Sequence, residues 1–171
     1  IICNELQALI IIIFMHIVAL KSPDSRDHRS VIHPDTVKKI IDLPGVTFSF
    51  ESGIGNGINI SDQTFIELGL KAISRDECLS QGSFIITPSS LTIEESNKIQ
   101  KGSTVLGMLN PFYAVDELKA LNQSRINVVS MEFIPRITRA QKMDVLSSQA
   151  NLAGYAAVLE AAQYLSSALP M

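Results

Sequence analysis

The sequence predicts a three-layer α/β domain with a mostly parallel sheet, ending in a long helix over residues 145–166. Two observations carry this expectation. Apolar strand-like runs alternate with amphipathic helical stretches, and the links between them are short, the pattern of parallel strands joined by crossover helices. The strand-like runs are also apolar on both faces, as strands buried between two helical layers must be.

Residues 8–20 read ALIIIIFMHIVAL. An unbroken apolar run of this kind suits a buried parallel strand. At 13 residues, with His16 among them, it falls short of the about 20 that a membrane-spanning helix needs. Glu5 precedes it and no Lys or Arg does, which argues against a signal peptide. An anchor or targeting remnant is the alternative. Residues 21–29 are polar and turn-like, broken by Pro23, Asp24 and Ser25.

His33-Pro34-Asp35 opens a helix over residues 34–43, with Pro34 suited to its first turn and Val37, Ile40, Ile41 and Leu43 at helical spacing. Residues 46–50 read as a strand of β-branched and aromatic residues. Ser61 and Asp62 cap a helix reaching residue 70. A strand over 83–87 ends at Pro88, a charged helix occupies 92–99, and a buried strand follows at 104–109. Residues 115–121 are helical and 126–131 form the last strand before the long helix.

Composition narrows the function. The 171 residues are 46% hydrophobic and 18% charged, below the roughly 25% charged residues of an average soluble protein. The length suits one domain of ordinary size. The net charge of −3 comes with no basic cluster, so no nucleic-acid partner is expected. Cys3 and Cys78 show neither CxxC nor zinc-ligand spacing, so no metal is expected and both read as reduced thiols.

Gly53-Ile-Gly55-Asn-Gly57 follows a strand and invites a dinucleotide-loop reading. That motif needs G-x-G-x-x-G opening a helix directly, so that a pyrophosphate meets the helix N-terminus. Here the third glycine comes one residue early and the next helix starts only at Ser61. The segment reads as a flexible loop that permits left-handed backbone.

The chemistry lies in Pro135-Arg-Ile-Thr-Arg-Ala-Gln-Lys-Met-Asp-Val-Leu-Ser-Ser-Gln-Ala-Asn-Leu-Ala-Gly-Tyr155, between the last strand and the long helix. Open α/β sheets bind ligands at the carboxyl ends of their strands. Arg136, Gln141, Asp144 and Ser147 offer a guanidinium, an amide, a carboxylate and a hydroxyl there. Asp144 or Ser147 could cap the helix. Small residues, Ala150, Ala153, Gly154, Ala157 and Ala161, would let a neighbouring backbone approach closely. Solvated loop and helix cap are the plain reading of the same residues, with Arg136 and Asp144 as a surface ion pair worth under about 1 kcal/mol.

This run resembles the signature of the NAD(H)-binding component of proton-translocating NAD(P)+ transhydrogenase, within the alanine dehydrogenase/transhydrogenase N-terminal family. Every position of P-R-I-[ST]-R-A-Q-x-M-D-x-L-S-S-x-x-N-x-A-G-Y is present. Arg29 followed by Pro34, Val37-Lys38-Lys39, and Glu51-Ser52-Gly53-Ile54-Gly55 agree as well, with Lys21 on the usual lysine. The resemblance covers residues 15–171 and leaves 1–14 as an apolar extension, with Met15 as a candidate start.

The resemblance implies a Rossmann-like or flavodoxin-like sheet and direct hydride transfer between NAD(H) and NADP(H). By it, Arg136 and Ser147 hold the nicotinamide carboxamide, Asp144 fixes Arg136, Gln141 reaches toward the partner's nucleotide, and Tyr155 lies nearby. It implies as partners the nucleotide-binding G-x-G-x-x-G domain of the same component, absent from these residues, and components that bind NADP(H) and cross the membrane. It further implies a homodimer on the soluble face of a membrane-associated complex, in a bacterial cytoplasm or a mitochondrial matrix.

Alanine dehydrogenase chemistry requires an acid–base group and a cation for the substrate carboxylate. The lysine and histidine that serve there are missing: Ser83-Phe-Ile-Ile-Thr87-Pro88 has no lysine, Asn110 stands at the histidine position, and His16, His28 and His33 lie elsewhere. Transhydrogenase relatives usually carry that lysine too, and a glutamate where Ser22 stands. Residues 112–115 also differ from the family pattern. The second reading is therefore a non-catalytic member acting as an interaction domain, and a third is an anchored binding module.

Overall fold

A computed structural model describes residues 15–167. They form two compact units that divide between Val129 and Ser130. The first holds strands β1 (Met15–Ala19), β2 (Val46–Glu51), β3 (Lys71–Ile73), β4 (Phe84–Thr87), β5 (Thr104–Gly107) and β6 (Asn127–Ser130). Helices α1 (Pro34–Ile41), α2 (Asp62–Glu67), α3 (Arg75–Gln81), α4 (Ile93–Ser96) and α5 (Val115–Gln123) join them. The second holds two 3₁₀ helices, Met131–Phe133 and Thr138–Met143, then α6 (Val145–Ala162).

The strand order is β3-β2-β1-β4-β5-β6, with parallel pairing of β1 to β2 and β4, of β2 to β3 and of β4 to β5. This is the Rossmann order, which decides between the two sheet types expected; its direction reverses between β1 and β4. The reading of residues 15–20 as buried strand holds: Val18, Ala19 and Leu20 have no exposed surface. Residues 8–14 lie outside the described residues.

Alternation along β1 divides the core in two. Val18 and Leu20 join Ile85, Val105, Cys78, Leu79 and Leu121 on one face. Ile17 and Ala19 join Phe48, Phe50, Val37 and Phe65 on the other. Three layers follow directly from that period of two. Phe50 and Phe65 meet with ring centroids 5.3 Å apart and planes tilted 52°, and full burial of each ring is worth roughly 1.5–3 kcal/mol.

Several elements differ from expectation. The helix expected to reach residue 70 stops at Glu67, and β3 and α3 follow it unanticipated. Leu68 and Leu70 extend the apolar period past the true end, while Gly69, at φ +92°, provides the left-handed residue that stops the helix. Ser61 occupies the N-cap of α2 without bonding the helix amides. Its hydroxyl lies 3.3 Å from that of Thr64 instead, and the adjacent Asp62 carboxylate accepts from the Gly53 amide at 2.9 and 3.0 Å. α3 begins on a capping box, in which Glu77 accepts from the Ser74 amide at 2.9 Å and Ser74 Oγ from the Glu77 amide at 3.3 Å. α4 and α6 are shorter than expected, and β5 ends at Gly107.

The glycine segment is not a flexible loop but a packed one. Gly53 has φ +81°, and a Cβ on Gly57 would lie 2.3 Å from the His28 carbonyl oxygen. The third glycine lets the chain after β1 cross over it.

Candidate functional site

The expected site lies in the second unit, directly following β6. Ser130 Oγ donates to Glu132 at 2.5 Å as the chain leaves the strand. Residues 134–137 then lead into the 3₁₀ helix Thr138–Met143, which buries Ala140. Asp144 caps α6. Its Oδ1 accepts from the Ser147 amide at 3.0 Å and its Oδ2 from the Ser147 hydroxyl at 2.5 Å. Of the two candidate caps, the carboxylate takes the role and Ser147 is its donor. The two Ser147 bonds, assisted by the charge of Arg136, hold the Asp144 carboxyl below the ordinary carboxylate range.

The structure thus brings Asp144 and Ser147 into direct contact and places Arg136 within electrostatic reach, without a hydrogen bond from Arg136 to Asp144. Arg136, Gln141 and Ser147 are exposed, and Asp144 is buried. The Asp144 amide donates to the Gln141 carbonyl at 3.3 Å, which ties the turn to the cap. Tyr155, 67% exposed, stands apart from this cluster on α6, roughly 15 Å along the helix axis from its first residue.

A second constellation, not anticipated, occupies the carboxyl edge of the sheet in the first unit. Arg75 donates from Nη1 to Glu51 at 2.9 Å and to the Lys21 carbonyl at 3.1 Å, and from Nε to Glu95 at 2.5 Å. Glu51 also accepts from the Lys21 amide at 3.0 Å. Burial opposes the charge of Arg75, but its bonds to Glu95 and Glu51 outweigh burial and hold its pKa above the ordinary value. Glu95 shows the mirror case: burial would raise its pKa, and Arg75 with the Thr92 cap lowers it.

Beside this cluster the loop after β1 lines two crevices. One of about 320 Å³ faces Gly53, Asn56 and Gly57. The other, about 530 Å³, lies between β1 and β4 at the reversal of strand order, and is lined by Ser22, Arg26, Arg29 and Ser89 among others. Both arginines there carry partners: Arg26 with Asp24 at 2.9 Å and Arg29 with Asp27 at 2.7 Å. The Arg29 guanidinium drops the Asp27 pKa to about 2. Ser89 Oγ is buried without a hydrogen bond among the described residues. The repeated Asp-x-Arg spacing of Asp24–Arg26 and Asp27–Arg29 was the one sequence signal for this edge.

Neither residue position that distinguishes alanine dehydrogenase holds a titratable group. Thr87 donates to the Ser89 carbonyl at 2.7 Å, and Asn110 turns the chain at φ 49°. No group of three His, Cys, Asp or Glu suited to a metal occurs among the described residues. No helix among them is long and apolar enough to cross a membrane.

A doubly wound sheet with a charged crevice at its reversal point, followed by a capped polar turn and a long helix, defines a domain of the dinucleotide-linked oxidoreductase type. Residues 20–153 match the family described as alanine dehydrogenase/PNT, N-terminal domain, and the chain belongs to it. In Rickettsia prowazekii and Rhodospirillum rubrum the similar chains are the first of the pieces that make up NAD(P) transhydrogenase subunit alpha. Identity is 36% over 162 residues to the former and 34% over 163 residues to the latter. Each match covers 92% of this chain and 42% of the relative, so the chain spans less than half their length. The crystal structure of transhydrogenase from Sinorhizobium meliloti superposes with a TM-score of 0.81 at 33% identity, over 90% of this chain and 46% of that one. An L-alanine dehydrogenase, at 19% identity and TM-score 0.64 over 70% of this chain and 33% of that one, shares the fold.

Proposed function

We propose that this chain forms the opening portion of the NAD(H)-side component of a proton-translocating transhydrogenase, and that its 136–155 segment holds the nicotinamide end of the nucleotide. The observation that carries this reading is the complete 135–155 motif, folded as a 3₁₀ helix, a carboxylate cap and a long helix, in a chain whose relatives are transhydrogenase alpha subunits. Bound NAD(H) would supply the chemistry, a hydride passing directly to the partner's ring. The protein is then asked only to orient and to exclude water.

The donor set suits that task. The side chains of Arg136 and Gln141 make no hydrogen bond among the described residues, so both are available to a carboxamide. Ser147 already donates its hydroxyl proton to Asp144; its oxygen is left to accept from the carboxamide NH₂ while Arg136 donates to the carboxamide oxygen. Asp144 then fixes Ser147 directly and Arg136 through charge. Tyr155 would close over the ring from α6 once further structure covers that helix. The remaining partners are the nucleotide-binding region of the component, an NADP(H)-carrying component with Gln141 directed to it, and a membrane component. The assembly is a homodimer on the soluble face of the membrane, in a bacterial cytoplasm or mitochondrial matrix.

The test supplies the remainder of the component in trans and measures hydride transfer to an NADP analogue. Loss of one buried hydrogen bond predicts a fall of roughly tenfold in Arg136→Ala and in Gln141→Ala. Rates unchanged in both variants would reject the assigned roles. A second reading, an interaction domain without chemistry, is favoured by the exposure of Leu152, Val158 and Leu159 on α6; transfer in trans discriminates the two.

A further inference from the structure

We infer that Arg139 and Lys142 form a docking patch for an acidic protein surface, beside the residues assigned to the nicotinamide. The inference rests on the functional reading above and names a contact for its partner component. Arg139 and Lys142 both lie in the 3₁₀ helix Thr138–Met143. Three residues per turn make positions i and i+3 eclipse, so the two cations stand on one edge, roughly 6 Å apart along the axis. Ala140, 5% exposed, faces inward and fixes the rotation of that helix.

Both side chains are exposed and neither makes an ion pair or hydrogen bond among the described residues. Elsewhere the arginines Arg26, Arg29 and Arg75 are all held by carboxylates. Asp144, the acid closest in sequence, has both carboxylate oxygens occupied by Ser147. With Arg136, three cations sit within seven residues. Aligned exposed cations at a rim accelerate and orient the approach of an acidic surface, an effect removed by salt. A protein face is favoured over a phosphate because the pair is fully solvated and no enclosed cavity or helix N-terminus of sufficient length accompanies it.

The test titrates the full ¹⁵N-labelled chain with an oligoglutamate peptide at about 20 mM and about 300 mM salt. Amide shifts over Thr138–Met143 are expected at low salt and should vanish at high salt, with none from an oligoserine peptide. The double variant Arg139→Glu, Lys142→Glu should bind at least about tenfold more weakly, while unchanged α6 amides show that it folds. Lys38 and Lys39, exposed but adjacent rather than three apart, are the internal control. Equal shifts at Lys38 and Lys39, binding retained in the double variant, or a stronger response to inorganic pyrophosphate would each overturn the inference. No nucleotide is present, so failure here leaves the hydride-transfer test standing.

Discussion

Arg75 and Glu51 meet at 2.9 Å at the carboxyl edge of the sheet, with the Glu51 side chain only 7% exposed. The pair ties the start of α3 to the end of β2, and through the Lys21 backbone to the end of β1. Arg75→Met leaves Glu51 and Glu95 buried without their cation. A loss of about 3 kcal/mol is expected, read as a lower urea midpoint. Glu51→Gln should lose less, since its amide oxygen still accepts from the Lys21 and Arg75 donors.

Acid should weaken the fold in a defined window. Asp27, Glu95 and Asp144 all have folded pKa values below their ordinary ones, Asp27 at about 2 against 3.8. The unfolded chain therefore binds protons first as pH falls. The stability these groups contribute is complete above the ordinary carboxylate range and is lost as pH falls through the lowered values. Denaturation midpoints measured from about pH 5 to about pH 2 should decline steadily, and Asp27→Asn should flatten the lower end of that decline.

Two glycines should respond oppositely to alanine. A Cβ at Gly57 would lie 2.3 Å from the His28 carbonyl oxygen, backbone that cannot yield. Gly57→Ala should unfold the first unit or displace the loop after β1. At Gly154, inside α6, a Cβ meets nothing within 4 Å. Gly154→Ala should gain roughly 0.5–1 kcal/mol from helix propensity. Thermal melts of both variants check the pair.

Cys78 should be inert to thiol reagents in the folded chain. It is fully buried, and desolvation with the nearby Glu51 charge raises its pKa to about 12. In a Cys3→Ser background, labelling by a disulfide reagent should follow global unfolding. Rapid labelling under native conditions would contradict the packing of α3.

Most of the sheet was legible because burial on both faces leaves unbroken apolar runs, as at Ile17–Leu20 and Ile85–Ile86. β3 was not, because three residues beginning with the exposed Lys71 carry no period, and Leu68 and Leu70 continue the preceding helical one. α3 did have a local signal, the Ser74-x-x-Glu77 box, obscured by that overextended helix. The 135–155 segment could be read because its residues are contiguous. The Lys21, Glu51, Arg75 and Glu95 cluster could not, because its members come from four separate elements and only the strand order brings them together. Ser147 belongs to the polar turn as its spacing implies, but its commitment to Asp144 is a matter of hydroxyl direction that no spacing reveals.

The carboxylate of Asp62, seated on the Gly53 amide, gives the glycine turn an anion of its own. Any incoming phosphate would have to evict this tethered competitor and bear its repulsion. Converting the turn into a nucleotide cradle by adding glycines would therefore fail; neutralising position 62 must come first. Evolution of cofactor sites in such sheets is constrained by which amides are already spoken for as much as by which motifs are present.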